Sequence, residues 1–302
     1  MTQLTKRARL VPATLKVVEE NPGIRLTIRQ VFYRLVSKGI IRNTRSAYNS
    51  LDKVLTLARQ KGQIPYEVFV DHTRGVIGNI SYESVNPEET FEDAKQTYEA
   101  SEETFNGAAE EYQLPIWHGQ PNHVEVWLEK QALANLFQQI TSKKNVRLAP
   151  CKGYPSLTFM YEAASYLYHN VPKDKDILIL YFGDFDMRGV DIQRDINEKL
   201  TAFNLDVEVK RIALTKEQIE NYQLPPAPAK KTDTMAFGWV GSEGDVAWEI
   251  DALPPKELQR LIKTAIENEF DWQAYQTRGE QVSTGRAQIT ELIEKYQKGE
   301  NV

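Results

Sequence analysis

The chain has 302 residues, of which 41% are hydrophobic and 26% charged, a balance typical of a globular protein with about two domains. No stretch approaches the roughly 18 apolar residues of a membrane span, and the basic N-terminus lacks the apolar core of a secretory signal. The single cysteine, Cys151, excludes an internal disulfide, and the sequence has no cysteine–histidine cluster of the kind that zinc needs. We therefore expect a cytoplasmic protein without a membrane anchor.

The charge is distributed unevenly along the chain. Residues 1–61 contain 13 Lys and Arg against 3 Asp and Glu, a local balance of +10, so the other 241 residues carry -15 of the net charge of -5. A DNA-facing module joined to an acidic domain would show this asymmetry. A solvated basic helix surface explains the charge equally well, so charge alone leaves both interpretations open.

The N-terminal part is predicted to be helical. One helix over residues 4–20 ends at an Asn-Pro-Gly stop signal, a second covers residues 27–39, and a third covers residues 43–61. Residues 64–70 are predicted to form a short strand pair or wing. Three helices followed by a short β element are typical of a winged-helix or helix-turn-helix module, which we assign to residues 1–82.

An acidic segment follows. Residues 83–111 contain ten Asp and Glu against one Lys, with Phe91, Tyr98 and Phe105 spaced seven apart. That spacing predicts one amphipathic helix with a narrow apolar stripe. We assign residues 83–114 to a helix that connects two domains.

From residue 123 onward, apolar strand-like runs alternate with helical stretches. This alternation predicts βαβ units on a mainly parallel sheet flanked by helices, and hence an α/β domain over residues 115–302. A proline-rich loop at 224–229 precedes two closing helices, at 256–270 and 284–298. The predicted strands are 124–128, 146–149, 177–182 and 207–212, and the helices between them are 130–141, 156–169 and 189–202.

Two aspartates follow the most apolar of these strands. Residues 177–182 are apolar on both faces, as in a central parallel strand, and lead directly into Asp184 and Asp186. Ligands bind at the carboxyl ends of such strands, and a spacing of two directs both carboxylates to the same side. Carboxylates so close repel each other unless a cation intervenes, and Mg²⁺ prefers oxygen ligands.

Glu129 has the same setting, because it follows the strand at 124–128 and precedes a helix. Any one of these carboxylates could merely cap a helix. Glu129, Asp184 and Asp186 at two strand ends together favour a site for one or two Mg²⁺ ions.

A tyrosine in the basic segment is a second candidate. Tyr33 falls outside the apolar face of the second helix, one turn from Arg29 and from Ser37. The arginine could neutralise a phosphate and favour the phenolate, which suits nucleophilic attack on phosphorus. An ordinary half-buried tyrosine fits the same position. The apolar face consists of Ile28, Val31, Phe32, Leu35 and Val36.

The two strand-end motifs resemble a Toprim domain, the catalytic fold of topoisomerases, bacterial-type primases and several nucleases. The resemblance rests on Val-Trp-Leu-Glu-Lys at 126–130 and Gly-Asp-Phe-Asp-Met-Arg-Gly at 183–189. It implies that Glu129, Asp184 and Asp186 are the metal ligands. Lys-Gly-Tyr-Pro-Ser at 152–156 and Gly-Val-Asp-Ile at 189–192 narrow it to the topoisomerase VI A subunit and its meiotic double-strand-break relatives. The family often has proline after the aspartates, and Met187 and Arg188 depart from this.

That family carries a winged-helix motif, Arg-x-x-Tyr/Phe-Tyr, whose last tyrosine is the nucleophile. Arg29, Phe32 and Tyr33 match it in the expected order, and the combined resemblance covers most of residues 20–215. Because the chain is small, it is most similar to the short, stand-alone Mini-A type. The resemblance implies that Tyr33 forms a 5′-phosphotyrosyl link with double-stranded DNA, beside Mg²⁺ on the three carboxylates. It also implies a homodimer in which the tyrosine of one protomer meets the metal site of its partner.

Contacts with DNA are expected from both domains. The third helix would enter the major groove, and Arg29, Lys130 and Arg188 would contact phosphates. The segment around Trp248 is expected to pack on the sheet, with a metal role for Glu249 or Asp251 less favoured. The DNA-binding candidates are Arg29, Arg34, Arg45, Lys53, Lys130 and Arg188.

Two other functions stay open at this point. The first is a Toprim nuclease that hydrolyses DNA with a metal-activated water, and the second is a DNA-binding or partner-recruiting protein with an inert Toprim domain. The sequence contains no Gly-x-x-x-x-Gly-Lys-Ser/Thr nucleotide-binding loop. Strand passage in topoisomerase VI needs a separate ATPase subunit, which this chain does not supply.

Overall fold

The computed structural model describes residues 3–71, 74–83, 85–98, 101–228 and 246–300. Its helices and strands form a mixed α/β fold, as the alternation of strand and helix patterns predicted. Within those ranges, no helix has the length and apolar character needed to cross a membrane.

Three helices pack together at the N-terminus, as predicted: α1 (Gln3–Glu19), α2 (Ile28–Ser37) and α3 (Arg45–Gln60). Thr27 begins α2 through a capping box with Gln30, and the Thr44 side chain caps α3 by accepting the Ala47 amide. Their apolar faces share one core, which runs from Leu10 to Phe69.

The strand pair predicted at residues 64–70 is wrong. Tyr66–Val68 is a single 3-10 turn, and Phe69 forms an isolated parallel bridge with Leu26. The backbone of this segment therefore bonds to the residues just before α2, instead of folding back on itself as a hairpin. Burial of Ile64 and Phe69 in the helical core explains that path, because the chain must run along the helices to bury both side chains.

The acidic segment forms two helices, so the prediction of a single helix over 83–111 is also wrong. These are α4 (Pro87–Thr97) and α5 (Glu102–Glu111). Ser101 accepts a hydrogen bond from the Thr104 amide and so begins a new helix. The break lets Phe91 and Phe105 contact the same ring of Tyr296, which a single straight helix would not allow.

A four-stranded, entirely parallel sheet follows the helical segments, as predicted. Its strands are β1 (Asn122–Leu128), β2 (Arg147–Pro150), β3 (Asp176–Phe182) and β4 (Glu208–Ala213), in the spatial order β2-β1-β3-β4. Strands β1 and β3 are central, and helices cover both sides of them, which is why residues 177–182 of β3 are apolar on both faces. In β1, one face carries the buried polar side chains of His123 and Glu125.

The helices lie on opposite faces of this sheet. On one face, α6 (Ala134–Thr141) packs with α10 (Pro255–Asn268). On the other face, α7 (Leu157–Asn170) packs with α8 (Met187–Ala202). Each face thus has its own apolar core, and the carboxyl edge of the sheet lies between them.

The C-terminal part contains elements beyond the prediction. A short helix, α9 (Lys216–Asn221), follows β4, and β5 (Ala227–Pro228) pairs with β6 (Val246–Ala247). The last helix, α11 (Trp272–Gln297), begins twelve residues before the predicted start at 284. Asp271 caps it by accepting two backbone amides, and α11 packs against both α4 and α5.

The N-terminal helices contact the sheet domain through α7. The buried guanidinium of Arg59 donates a hydrogen bond to the Thr158 hydroxyl at 2.7 Å, and Arg25 forms an ion pair with Glu162 at 2.6 Å. Ile77 adds a backbone bridge to Leu148 in β2. These contacts attach the basic module to the α7 face of the sheet.

Candidate metal centre

The two strand ends that carry the predicted ligands are neighbours. Leu128, the last residue of β1, is paired with Phe182, the last residue of β3. The Glu129 amide donates a hydrogen bond to the Phe182 carbonyl at 2.8 Å. Glu129 and Asp184 therefore leave the sheet at the same point of its carboxyl edge, where open α/β sheets bind ligands.

Glu129 is held against the β3 loop by hydrogen bonds to its Oε2 atom. The Asp184 amide donates to this oxygen at 3.0 Å and the Tyr181 hydroxyl donates at 3.4 Å. Burial, together with the neighbouring charge of Asp184, raises the pKa of Glu129 to about 7. Near neutral pH the Glu129 carboxyl group is therefore only partly ionised, and a nearby cation would favour its ionised form.

Asp184 is 9% exposed and is held by the C-terminal segment. Its Oδ1 atom accepts the Ile250 amide at 2.9 Å and lies 3.5 Å from the Lys130 ammonium. Burial raises the pKa of Asp184 above its ordinary value, and the charge of Asp186 acts in the same direction. Asp186 begins α8, because its Oδ1 accepts the Gly189 amide at 2.7 Å.

Two glycines permit this close packing. A Cβ atom on Gly183 would lie 2.7 Å from Oε2 of Glu129 and 2.5 Å from the Tyr181 hydroxyl. A Cβ atom on Gly189 would overlap the Asp184 carbonyl oxygen. Both positions of the glycine-flanked motif therefore have a packing reason for lacking a side chain.

Lys130 lies beside two carboxylates that the sequence pattern did not favour as site residues. Its ammonium is 2.8 Å from Oδ2 of Asp251, 3.0 Å from Oε2 of Glu249 and 3.5 Å from Asp184. Burial lowers the pKa of Lys130, but the hydrogen bonds to Asp251 and Glu249 outweigh it and raise the pKa. The segment around Trp248 packs on the sheet core, as expected.

Arg211 is a second cation that the sequence analysis missed. Its guanidinium, on β4, donates to the carbonyls of Asp184 at 3.1 Å and Gly189 at 2.5 Å. Burial lowers the pKa of Arg211, although the nearby carboxylates oppose this effect. Through these hydrogen bonds, Arg211 fixes the backbone of the Asp184 loop from the side of β4. β4 also carries Glu208 and Lys210, so charged residues occur on both of its faces and the sequence did not indicate that Arg211 contacts the site.

The DNA-binding candidates of the helical module lie on its surface. The Tyr33 ring is 54% exposed and meets Phe32 edge to face, with ring centres 5.4 Å apart. The Arg29 guanidinium lies over the Tyr48 ring, 5.9 Å from its centre. The side chains of Arg34, Arg45 and Lys53 are exposed, as is that of Arg188 on α8. Among the described residues, no hydrogen bond joins Tyr33, on α2, to the three carboxylates at the sheet edge.

No protein-family model matches the chain, and no curated protein is similar to it by sequence.

The donor set suits a hard divalent cation, because all three predicted ligands are carboxylates. As the side chains stand, no group of three His, Cys, Asp or Glu residues among those described is arranged to hold a metal ion. Each predicted ligand is held through one oxygen: Oε2 of Glu129, Oδ1 of Asp184 and Oδ1 of Asp186. A carboxylate held in this way has a second oxygen with which to bind a metal.

Proposed function

We propose that this protein cleaves DNA in a Mg²⁺-dependent reaction by transesterification, in the manner of a topoisomerase VI A subunit. The proposal rests on the adjacency of Glu129 and Asp184 at the carboxyl ends of two central parallel strands. Oε2 of Glu129 lies 3.0 Å from the backbone amide nitrogen of Asp184. Asp186, two residues on, completes the carboxylate set of a Toprim site.

Tyr33 is the proposed nucleophile. Its phenolic oxygen would attack a backbone phosphorus, forming a 5′-phosphotyrosyl bond and breaking the bond from phosphorus to the 3′ oxygen, which leaves as a 3′-hydroxyl with a proton. Arg29, one turn away on the same helix, would contact the phosphate. Mg²⁺ held by Glu129, Asp184 and Asp186 would stabilise the negative charge that develops on the phosphate.

The reaction would need two copies of the chain. Tyr33 lies on α2, on the exposed surface of the basic module, and the carboxylates lie at the sheet edge. The family resemblance pairs the tyrosine of one protomer with the metal site of its partner. A homodimer on double-stranded DNA, cutting both strands, is therefore part of the proposal.

The test is incubation of the protein with supercoiled plasmid and Mg²⁺, followed by denaturant. We expect linear or nicked DNA with protein covalently attached to its 5′ ends, and we expect Tyr33→Phe to abolish the attachment. Asp184→Asn should abolish cleavage without affecting DNA binding. Tyr33 is exposed, and within the described part of the chain its hydroxyl has no hydrogen-bond partner, so Tyr33→Phe should fold normally.

The same experiment separates the competing functions. Cleavage that persists in Tyr33→Phe, with no protein on the DNA ends, would replace transesterification by metal-dependent hydrolysis. Binding of DNA with no Mg²⁺-dependent cutting by the wild-type protein would leave a DNA-binding protein without nuclease chemistry.

A further inference from the structure

The Lys130 ammonium is shared unequally among three carboxylates. Its two short contacts are with Asp251 at 2.8 Å and Glu249 at 3.0 Å, and the longer contact, at 3.5 Å, is with the predicted ligand Asp184. Lys130 directly follows Glu129 in the sequence, so its positively charged side chain lies beside the proposed metal site. Its position relative to Asp184 is set by residues from the far end of the chain.

The segment that carries these two carboxylates is fixed to the Asp184 loop by backbone hydrogen bonds. Phe185 and Trp248 exchange two of them, at 2.8 Å and 3.2 Å. The Ile250 amide donates to Oδ1 of Asp184, between Glu249 and Asp251 in the sequence. Glu249 and Asp251 therefore have a defined position relative to Asp184.

An ammonium group and a divalent cation compete for the same carboxylate oxygens. Lysine has a flexible four-carbon side chain, so without another partner Lys130 could pair with Asp184 directly. Such a pair would oppose Mg²⁺ both by occupying a ligand oxygen and by placing a positive charge beside it. Asp251 and Glu249 take the two short contacts of the ammonium and leave Asp184 the longer one, at 3.5 Å, so they weaken both effects.

We propose that Glu249 and Asp251 are positioning residues that hold the Lys130 ammonium off Asp184 and thereby set the affinity of the site for Mg²⁺. The inference rests on the proposed metal site and adds to it a mechanism that controls its affinity. The acidic residues of the C-terminal segment act through Lys130 and need not touch the metal themselves.

The test is direct calorimetric titration of the full chain with Mg²⁺, without DNA, at about physiological ionic strength, where long-range charge effects are screened beyond about 8 Å. In Glu249→Gln/Asp251→Asn, we expect Mg²⁺ to bind roughly threefold to fivefold more weakly, because Lys130 then pairs with Asp184. Adding Lys130→Met to this variant should restore the affinity to within about twofold of wild type. Lys130→Met alone should not weaken Mg²⁺ binding.

The matched control is Glu269→Gln. This substitution removes the carboxylate that pairs with Lys210, with 2.7 Å between Oε1 and Nζ. The ion pair includes none of the proposed ligands, so Mg²⁺ binding should be unchanged. Glu249 and Asp251 have 53% and 44% exposed side chains, so their amide variants are expected to fold. Urea unfolding of each variant checks this.

The outcomes separate the inference from the proposed function. If the wild-type protein binds no Mg²⁺, the proposed metal site fails and the inference fails with it. If the wild type binds Mg²⁺ and the double amide variant binds it equally well, only the inference fails. If the triple variant binds Mg²⁺ as weakly as the double variant, the inference is also overturned. An affinity midway between the double variant and the wild type would indicate a long-range charge effect and would overturn it as well.

Discussion

Oε2 of Glu129 accepts a hydrogen bond from the backbone amide of Asp184, with 3.0 Å between the two atoms. The side chain of one proposed metal ligand thus orients the backbone of another across two neighbouring strands. A change in the charge or position of Glu129 must therefore affect Asp184. This coupling makes the site sensitive to pH and to small increases in side-chain volume.

The pH dependence of stability should reveal Glu129. Burial raises its pKa from the ordinary value of 4.5 to about 7. Between these values the folded protein holds a proton that the unfolded chain releases, so this stabilising contribution is complete below the unfolded pKa and is lost as pH rises through 7. We expect the free energy of unfolding to fall by up to about 3 kcal/mol between about pH 5 and about pH 8 on account of Glu129.

Urea unfolding in the presence of a chelator measures this effect. Glu129→Gln should flatten the pH profile and should be more stable than wild type at about pH 8. Equal slopes in the two proteins would show that Glu129 does not titrate in this range.

Gly189→Ala should disrupt the site. The added Cβ would overlap the Asp184 carbonyl oxygen, so α8 or the Asp184 loop must move. We expect a loss of about 2–3 kcal/mol in the free energy of unfolding, as for other overpacked positions, together with weaker Mg²⁺ binding. Calorimetry and urea unfolding measure the two effects.

Gly279→Ala is the matched control for this substitution. Gly279 lies in α11, where an added Cβ meets nothing within 4 Å. We expect it to increase stability by about 0.5–1 kcal/mol, as alanine does for glycine in helices. A Gly189→Ala protein as stable as Gly279→Ala would contradict the packing described at the sheet edge.

A buried ion pair at the centre of the sheet should be essential for stability. Glu125 accepts hydrogen bonds from Arg147, His123 and Trp127, and it is 1% exposed. Glu125→Leu should cost about 3–5 kcal/mol, because the Arg147 charge is then buried without its partner. Thermal or urea unfolding measures this loss.

The double variant Glu125→Leu/Arg147→Met should recover part of that stability, because it removes the unpaired charge but leaves buried Trp127 without its acceptor. Glu291→Gln, which breaks an exposed pair with Lys295, serves as the surface comparison and should have no measurable effect. If Glu125→Leu had as little effect as Glu291→Gln, the ion pair would not contribute to the core as described.

The basic module should contribute to DNA affinity independently of the DNA sequence. Arg45→Ala and Lys53→Ala each remove an exposed cation from α3, so each should lower the slope of log affinity against log salt by about 1. Fluorescence anisotropy with labelled duplexes at several salt concentrations measures it. Lys263→Ala, on α10, should leave the slope unchanged, and equal slopes in all three variants would exclude α3 from the DNA contact.

The sequence by itself determined the elements that local patterns encode. The apolar runs predicted all four parallel strands, and the helices predicted at 27–39 and 43–61 match α2 and α3, which Thr27 and Thr44 cap. Glu129, Asp184 and Asp186 were identifiable because each follows a strand. Local signals failed where tertiary contacts decide, as at residues 64–70, where the backbone pairs with Leu26, and in the acidic segment, which breaks to pack around Tyr296.

Only the tertiary structure decided which residues meet at the sheet edge. Strand order puts β1 beside β3 although β2 lies between them in the chain, and this pairing brings Glu129 to the Asp184 amide. The packing of the C-terminal segment on the Asp184 loop likewise brings Glu249 and Asp251, about 120 residues away in the chain, to the Lys130 ammonium. Such contacts depend on how strands and segments from distant parts of the chain pack together, and no local period or spacing in the sequence encodes that arrangement.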